Sequence, residues 1–524
     1  MKKRLITLSL ALFSFGVMNF FYGQENSEII NWYNGKGPGM NTEKAYKALK
    51  KKKSTTVIVA VIDSGIDVEH KDLKGKIWVN EDEIPNNGID DDNNGYIDDI
   101  HGWNFLGSPG QNQKYARLEK TRIYAGLMEL FDGKTAVDIA SADKADYDLY
   151  KKLKKEIEEE RNGNLQALEQ YKGLQEAFPE ILRQLKQKLG DNFTTEDVEK
   201  MEAKTPEDMQ LKQIGMYIAA GQINEEQLAE GVAYLDASAN YQLNPEYNDR
   251  QFIGDNPHDF NDTHYGNSDV EGPDALHGTH VGGIIGAIRG NELGGDGVAE
   301  NVKLMSVRAV PDGDEQDKDI ALAIRYAVDN GASVINMSFG KAYSMHQKEV
   351  YEALAYADSK GVLLVHAAGN DGQNVDQEDN FPSSAYSFQT KKLDHYITIG
   401  ASTRYKDKLA ADFSNYGKTK VDVFAPGYEI YNTVPQSDYK KLQGTSMAAP
   451  MVAGVAALLK SYFPELSMAQ IKDVILKSAK SYAGTTTPQP GDGVAVDFGT
   501  LSATGGVVDL VAAVKMCKAM SSKK

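Results

Sequence analysis

Val57-Ile58-Val59-Ala60-Val61-Ile62-Asp63-Ser64-Gly65 is the stretch from which the fold can be read. Its apolar run is short, rich in β-branched residues and ends in a turn signal. Such a run fits a strand covered on both faces, as in a parallel sheet. Related runs recur at 304–310, 333–337, 362–365 and 397–399, and helical patterns at 319–330 and 347–360 lie between them. Strands alternating with helices predict an α/β fold: a doubly wound, mostly parallel sheet with helices on both faces. Ligands of such sheets collect beyond the carboxyl ends of the strands, where Asp63 stands. Taken alone, Asp-Ser-Gly is also an ordinary turn.

Composition narrows the function. The chain has 524 residues, 41% hydrophobic and 25% charged, and a net charge of −18. The first two percentages are those of globular chains. The acidity removes the basic footprint that nucleic-acid binding needs, so no nucleic-acid partner is expected. Cys517 is the single cysteine. That excludes an intramolecular disulfide framework and a Cys-type structural zinc site. Met1-Lys2-Lys3-Arg4, a mostly apolar run to Tyr22 and then Gly23 predict a signal peptide over 1–23. Export to the periplasm or exterior follows. No later run reaches the roughly 18 apolar residues of a membrane span, so none is expected in the mature chain.

The alternation breaks between 108 and 250. Leu149, Leu153 and Ile157 share one helical face, as do Ile181, Leu182, Leu185 and Leu189. Thr205-Pro206-Glu207-Asp208 carries a capping hydroxyl, a first-turn proline and acids. The expectation is an all-helical insertion over 108–250. It would divide one α/β domain into 24–107 and 251–516 and leave a polar tail at 517–524. The insertion reads equally as a solvated decoration or as a lid.

Three further motifs carry chemistry. His277-Gly278-Thr279-His280-Val281-Gly282-Gly283 opens a helix of small residues around an imidazole. Gly444-Thr445-Ser446-Met447-Ala448-Ala449-Pro450 places a serine at the start of an apolar helix. There the serine is either an N-cap or a nucleophile beside the positive end of the helix dipole. Pro450 is costly inside a helix and odd for a purely structural one. Ala367-Ala368-Gly369-Asn370 follows a strand and offers an amide donor of the oxyanion-hole type.

Asp, His and Ser in this order and with these flanks resemble the subtilisin-like serine proteases, the subtilases. The resemblance covers the lead-in from about residue 32, then 58–105 and 255–516, and leaves the insertion outside. It implies a serine endopeptidase with Ser446 as nucleophile, His277 as base and Asp63 orienting the imidazole. It implies Asn370 in the oxyanion hole, Ser338, Phe339 and Gly340 along the edge that binds a peptide or protein substrate, and Ala368 and Gly369 as further substrate-binding residues. His280 is then a structural histidine. No organic cofactor is implied, and the oligomeric state is open. The alternative is a catalytically silent peptide-binding protein on the same scaffold; a special hydrolase or transpeptidase is a third reading.

Asp90-Asp91-Asp92-Asn93-Asn94-Gly95-Tyr96-Ile97-Asp98-Asp99 alternates hard oxygens before a glycine, like the start of a calcium loop. The ligand set read here is Asp90, Asp92, Asn94, Tyr96 and Asp98, with a solvated acidic turn as the alternative. His101 stands where such a loop ends in a bidentate glutamate.

Overall fold

The computed structural model describes residues 27–389 and 391–522. The predicted signal peptide lies outside the described residues. Nine strands form one sheet: β1 (Val57–Asp63), β2 (Gly102–Asn104), β3 (Val302–Arg308), β4 (Val334–Met337), β5 (Leu363–Ala367), β6 (Tyr396–Ser402), β7 (Val423–Pro426), β8 (Lys480–Ser481) and β9 (Gly506–Val507). Their order is β8-β9-β7-β6-β5-β4-β1-β3-β2. All pairings are parallel except β8–β9. The doubly wound α/β reading therefore holds.

β1 is buried along its length except for half-buried Ile58, because it is paired on both sides. Val57 to Asp63 pair with Val302 to Arg308, and Val59 to Ile62 with Val334 to Met337. Four helices matter for the site: α1 (Leu276–Gly286), α2 (Asp317–Asp329), α3 (Gln347–Ser359) and α4 (Thr445–Tyr462). α4 is buried nearly all round, as its run of Ala, Val, Met and Leu requires. It packs on the sheet and against α1.

Residues 124–247 form a separate compact helical unit. Its longest helix runs for 46 residues, Lys144–Leu189, and buries Leu153, Ile157, Leu168, Leu174, Phe178 and Leu185. Leu211 and Ile214 of one shorter helix and Leu228 and Leu235 of another are buried in the same unit. The Thr205 hydroxyl accepts from the Asp208 N–H at 3.1 Å, the helix start read from the sequence. The unit is narrower than 108–250 because the flanking chain belongs to the α/β unit. The Ala116 N–H donates to the Asp312 carbonyl (2.9 Å), and the Asp312 N–H to that of Lys114 (2.8 Å).

An ionic clasp sits where the chain leaves and re-enters the α/β unit. Asp249, 1% exposed, accepts from Arg117 Nη2 at 3.1 Å and from Arg122 Nε at 3.2 Å. Arg122 also pairs with Glu119 at 2.5 Å. The chain's end corrects another expectation. In place of a polar tail at 517–524, a helix runs over Leu510–Ser521, and Cys517 is fully buried in it. Among the described residues, no helix is long and apolar enough to cross a membrane.

Asp249→Ala would take one of two carboxylate partners from buried Arg122, which keeps Glu119, and would remove the Asp249 carboxylate from Arg117. Removing one partner of a buried pair costs about 3–5 kcal/mol. Chemical denaturation should show a loss of that order, whereas breaking the exposed Lys144–Asp148 pair should leave the transition where it is.

Candidate active site

Asp63 ends β1 and is 1% exposed. Its Oδ1 accepts from the Ser64 N–H at 2.8 Å and from His277 Nδ1 at 2.7 Å. Its Oδ2 is buried and has no partner among the described residues. His277 lies in the first turn of α1. The helix approaches β1 this closely only because residue 278 is glycine: a Cβ there would stand 2.1 Å from the Gly65 carbonyl oxygen. Burial disfavours the His277 imidazolium, but the Asp63 charge and hydrogen bond outweigh it, so its pKa is raised. The Nδ1 proton bound to Asp63 leaves Nε2 as the free basic nitrogen.

His280 faces elsewhere. Its Nε2 donates to the carbonyls of Ile430 and Lys440, both at 3.1 Å. Burial pushes its pKa down to about 3. It is a neutral structural histidine, as read from the sequence.

Ser446 is in the first turn of α4. Its hydroxyl donates to the Ser338 carbonyl at 3.1 Å, and the Ser338 hydroxyl donates back to the Ser446 carbonyl at 2.9 Å. Pro450 explains why that carbonyl is available. Proline has no N–H, so the carbonyl four residues earlier loses its helical partner. The Ser338 hydroxyl takes that place and is itself held by Asn336 Nδ2 at 2.9 Å. The costly proline thus ties the serine helix to the end of β4.

Asn370 is oriented by Thr445. Its Oδ1 accepts from the Thr445 N–H (2.8 Å) and hydroxyl (2.9 Å). Its NH2 therefore points the other way, with no acceptor among the described residues. A Cβ built on Gly444 would lie 3.4 Å from Asn370 Nδ2 and 3.5 Å from the Ser446 nitrogen. Glycine keeps clear the space on which these two donors converge.

The expected peptide edge divides. Gly340 is exposed, and its N–H and C=O have no partner among the described residues. Phe339 is 8% exposed, and its carbonyl accepts from His366 Nε2 at 2.9 Å. The main-chain groups of Ala368 and Gly369, two residues expected to bind substrate, are already committed. Ala368 donates to Ile399 and accepts from the Asn380 and Asn415 side chains. Gly369 donates to the Thr445 hydroxyl and accepts from Asn415 N–H. They support Asn370 and present no free pairing groups. The sequence reading missed His366, Thr445 and Asn336. A histidine inside the apolar run of β5 was the available signal for the first.

The acidic loop regroups its ligands. Carboxylate oxygens of Glu83, Asp90 and Asp92 lie within 4.8 Å of one another. Glu83 is 6% exposed. Its Oε1 accepts from the Asp91 and Asp92 N–H groups, and its buried Oε2 has no partner among the described residues. Asp98 is turned away, accepting from the N–H groups of Asn87 (3.1 Å) and Gly88 (3.0 Å). Asn94 Oδ1 accepts from the Tyr96 N–H, and the Tyr96 ring packs against Trp103, Phe105 and Tyr326. The converging donors are hard carboxylate oxygens, which suit calcium, with Glu83 where Asp98 had been read.

A family model described as the subtilase family matches residues 54–499. Over 257 residues the chain is 38% identical to "Thermophilic serine proteinase" of Bacillus sp. (strain AK1), covering 49% of this chain and 58% of that protein. It is 38% identical to "Thermitase" of Thermoactinomyces vulgaris, covering 40% of this chain and 70% of the relative. It is 37% identical to "Subtilisin DY" of Bacillus licheniformis, covering 39% and 70%. The chain thus spans less than two thirds of the first of these relatives.

The Asp63–His277 contact makes a pH prediction. A raised folded-state pKa stabilises the fold below the ordinary histidine range, and that contribution fades as pH rises through the raised value. In a Ser446→Ala background, NMR titration should place the His277 pKa above the ordinary value. Asp63→Asn should lower it, because burial is then opposed only by the Asp274 charge. An unchanged pKa would contradict the assigned cause.

Proposed function

Because the chain belongs to the subtilase family, we propose that it is an exported serine endopeptidase that hydrolyses peptide bonds through an acyl-enzyme. The observation that carries this reading is the 2.7 Å contact between Asp63 and His277, with a serine in the first turn of the neighbouring helix α4. Export rests on the signal-like segment 1–23.

The chemistry proceeds from these atoms. A peptide adds along Gly340, whose pairing groups are open, by strand addition. The Ser446 hydroxyl rotates away from the Ser338 carbonyl and gives its proton to His277 Nε2 as its oxygen attacks the scissile carbonyl. Asp63 keeps the Nδ1 proton in place and stabilises the imidazolium. The Asn370 NH2 and the Ser446 N–H receive the developing oxyanion, helped by the helix start. His277 then protonates the leaving amine, and water repeats the sequence on the acyl-enzyme. Peptide hydrolysis should vanish in Ser446→Ala. Asn370→Ala should lower kcat about 100–1,000-fold with KM little changed. Undiminished hydrolysis in Ser446→Ala would overturn the proposal.

Calcium is proposed as a structural ion held by Glu83, Asp90 and Asp92. The unpartnered Glu83 oxygen supports this, since a buried carboxylate oxygen without a donor is costly. After chelation, added calcium should raise Tm in the parent chain and in Asp98→Asn but not in Glu83→Gln. Equal responses in all three would refute this ligand set.

A further inference from the structure

We propose that His258 and His346 form a site for one borderline divalent transition metal, of the Zn2+, Ni2+ or Cu2+ class. The two imidazoles come from segments far apart in sequence, and His258 Nδ1 stands 2.8 Å from His346 Nε2. His258 is exposed and His346 half-buried, so an aqueous ion has access. The rings are tilted at 51°, and Phe260 packs edge-on against His346 with ring centroids 5.2 Å apart.

Both segments are held firmly. Arg250 binds Asp255 at 2.7 Å. Lys318 binds Asp255 Oδ2 and the Asn256 carbonyl at 2.9 Å each, and Asp262 at 3.2 Å. These anchors fix the backbone on both sides of His258. On the other segment, Asp317 accepts from the His346 N–H at 2.7 Å and from the Ser344 hydroxyl at 3.0 Å. Glu119 accepts from the Met345 N–H at 3.1 Å. Ordering entropy is thus largely spent before an ion arrives.

The chemistry fits an imidazole-seeking ion. Two neutral imidazole lone pairs suit Zn2+, Ni2+ or Cu2+, whereas calcium takes oxygen ligands. Metal–nitrogen bonds near 2.0–2.1 Å in tetrahedral geometry put two such nitrogens about 3.3 Å apart. The present contact therefore opens by roughly half an ångström, and the proton now shared between the rings moves through solvent to the other nitrogen of the ring that carries it, so that both rings bind as neutral imidazoles. Water fills the remaining positions. The ion would link the segment following the helical unit to the loop that leads from Lys341 into α3.

The full-length Ser446→Ala chain, unable to digest itself, is titrated with ZnCl2 by calorimetry and with CuCl2 by electron paramagnetic resonance. The expected result is one zinc equivalent, with affinity falling tenfold or more (~10–100-fold) in His258→Ala and in His346→Ala. The copper spectrum should show two imidazole nitrogens in the parent and one in each variant, and His277→Ala should retain the site. Unchanged affinity and spectra in both variants, or loss only in His277→Ala, would overturn the proposal. Should His346→Ala fail to fold, exposed His258→Ala decides alone.

Discussion

A buried carboxylate with one oxygen left bare is the constraint on which the site turns. Asp63 ends a strand paired on both sides, and among the described residues only Oδ1 is hydrogen-bonded, to its own turn and to an imidazole 214 positions away. Burying a charge is tolerable only when it is paired. The fold must therefore deliver His277 to this point across the whole helical unit. Two features meet that demand. The Asp249 clasp draws together the chain entering and leaving the helical unit. Gly278 lets α1 touch the turn after β1.

The second half of the site depends on a missing hydrogen bond. Pro450 deprives the Ser446 carbonyl of its helical partner, and the Ser338 hydroxyl supplies one. That exchange fixes the serine against the end of β4. His366 fixes the neighbouring Phe339 carbonyl from inside the sheet, and Thr445 holds Asn370 by its oxygen. The donors and the open edge at Gly340 thus rest on buried polar contacts, which position groups more exactly than apolar packing alone. Helix α4 anchors the arrangement because it is buried almost all round.

Much of this was legible in the sequence because it is local. The run Val57–Ile62, the small residues after His277 and the alanine-rich helix after Ser446 each announce their element within a few residues. What was not legible depends on contacts between distant segments. Lys114 to Ala116 look like part of the helical insertion, yet they pair with Asp312. Glu83 precedes the acidic repeat and shows no pattern with it, although it turns its carboxylate there, while Asp98 fits the pattern and turns away. Ala368 and Gly369 have the right neighbours, but Asn380 and Asn415 occupy their backbone. The tail read at 517–524 begins inside the last helix, where lysines mask the buried stripe of Leu510, Val514 and Cys517.

The central claim is that the surroundings of Ser446 make it nucleophilic. The most direct test is intact-mass analysis after exposure to a fluorophosphonate, which reacts with activated serines. The account predicts one adduct on the parent chain, none on Ser446→Ala and strongly slowed labelling in His277→Ala. A folded parent chain without an adduct, or one labelled equally in Ser446→Ala, would contradict it.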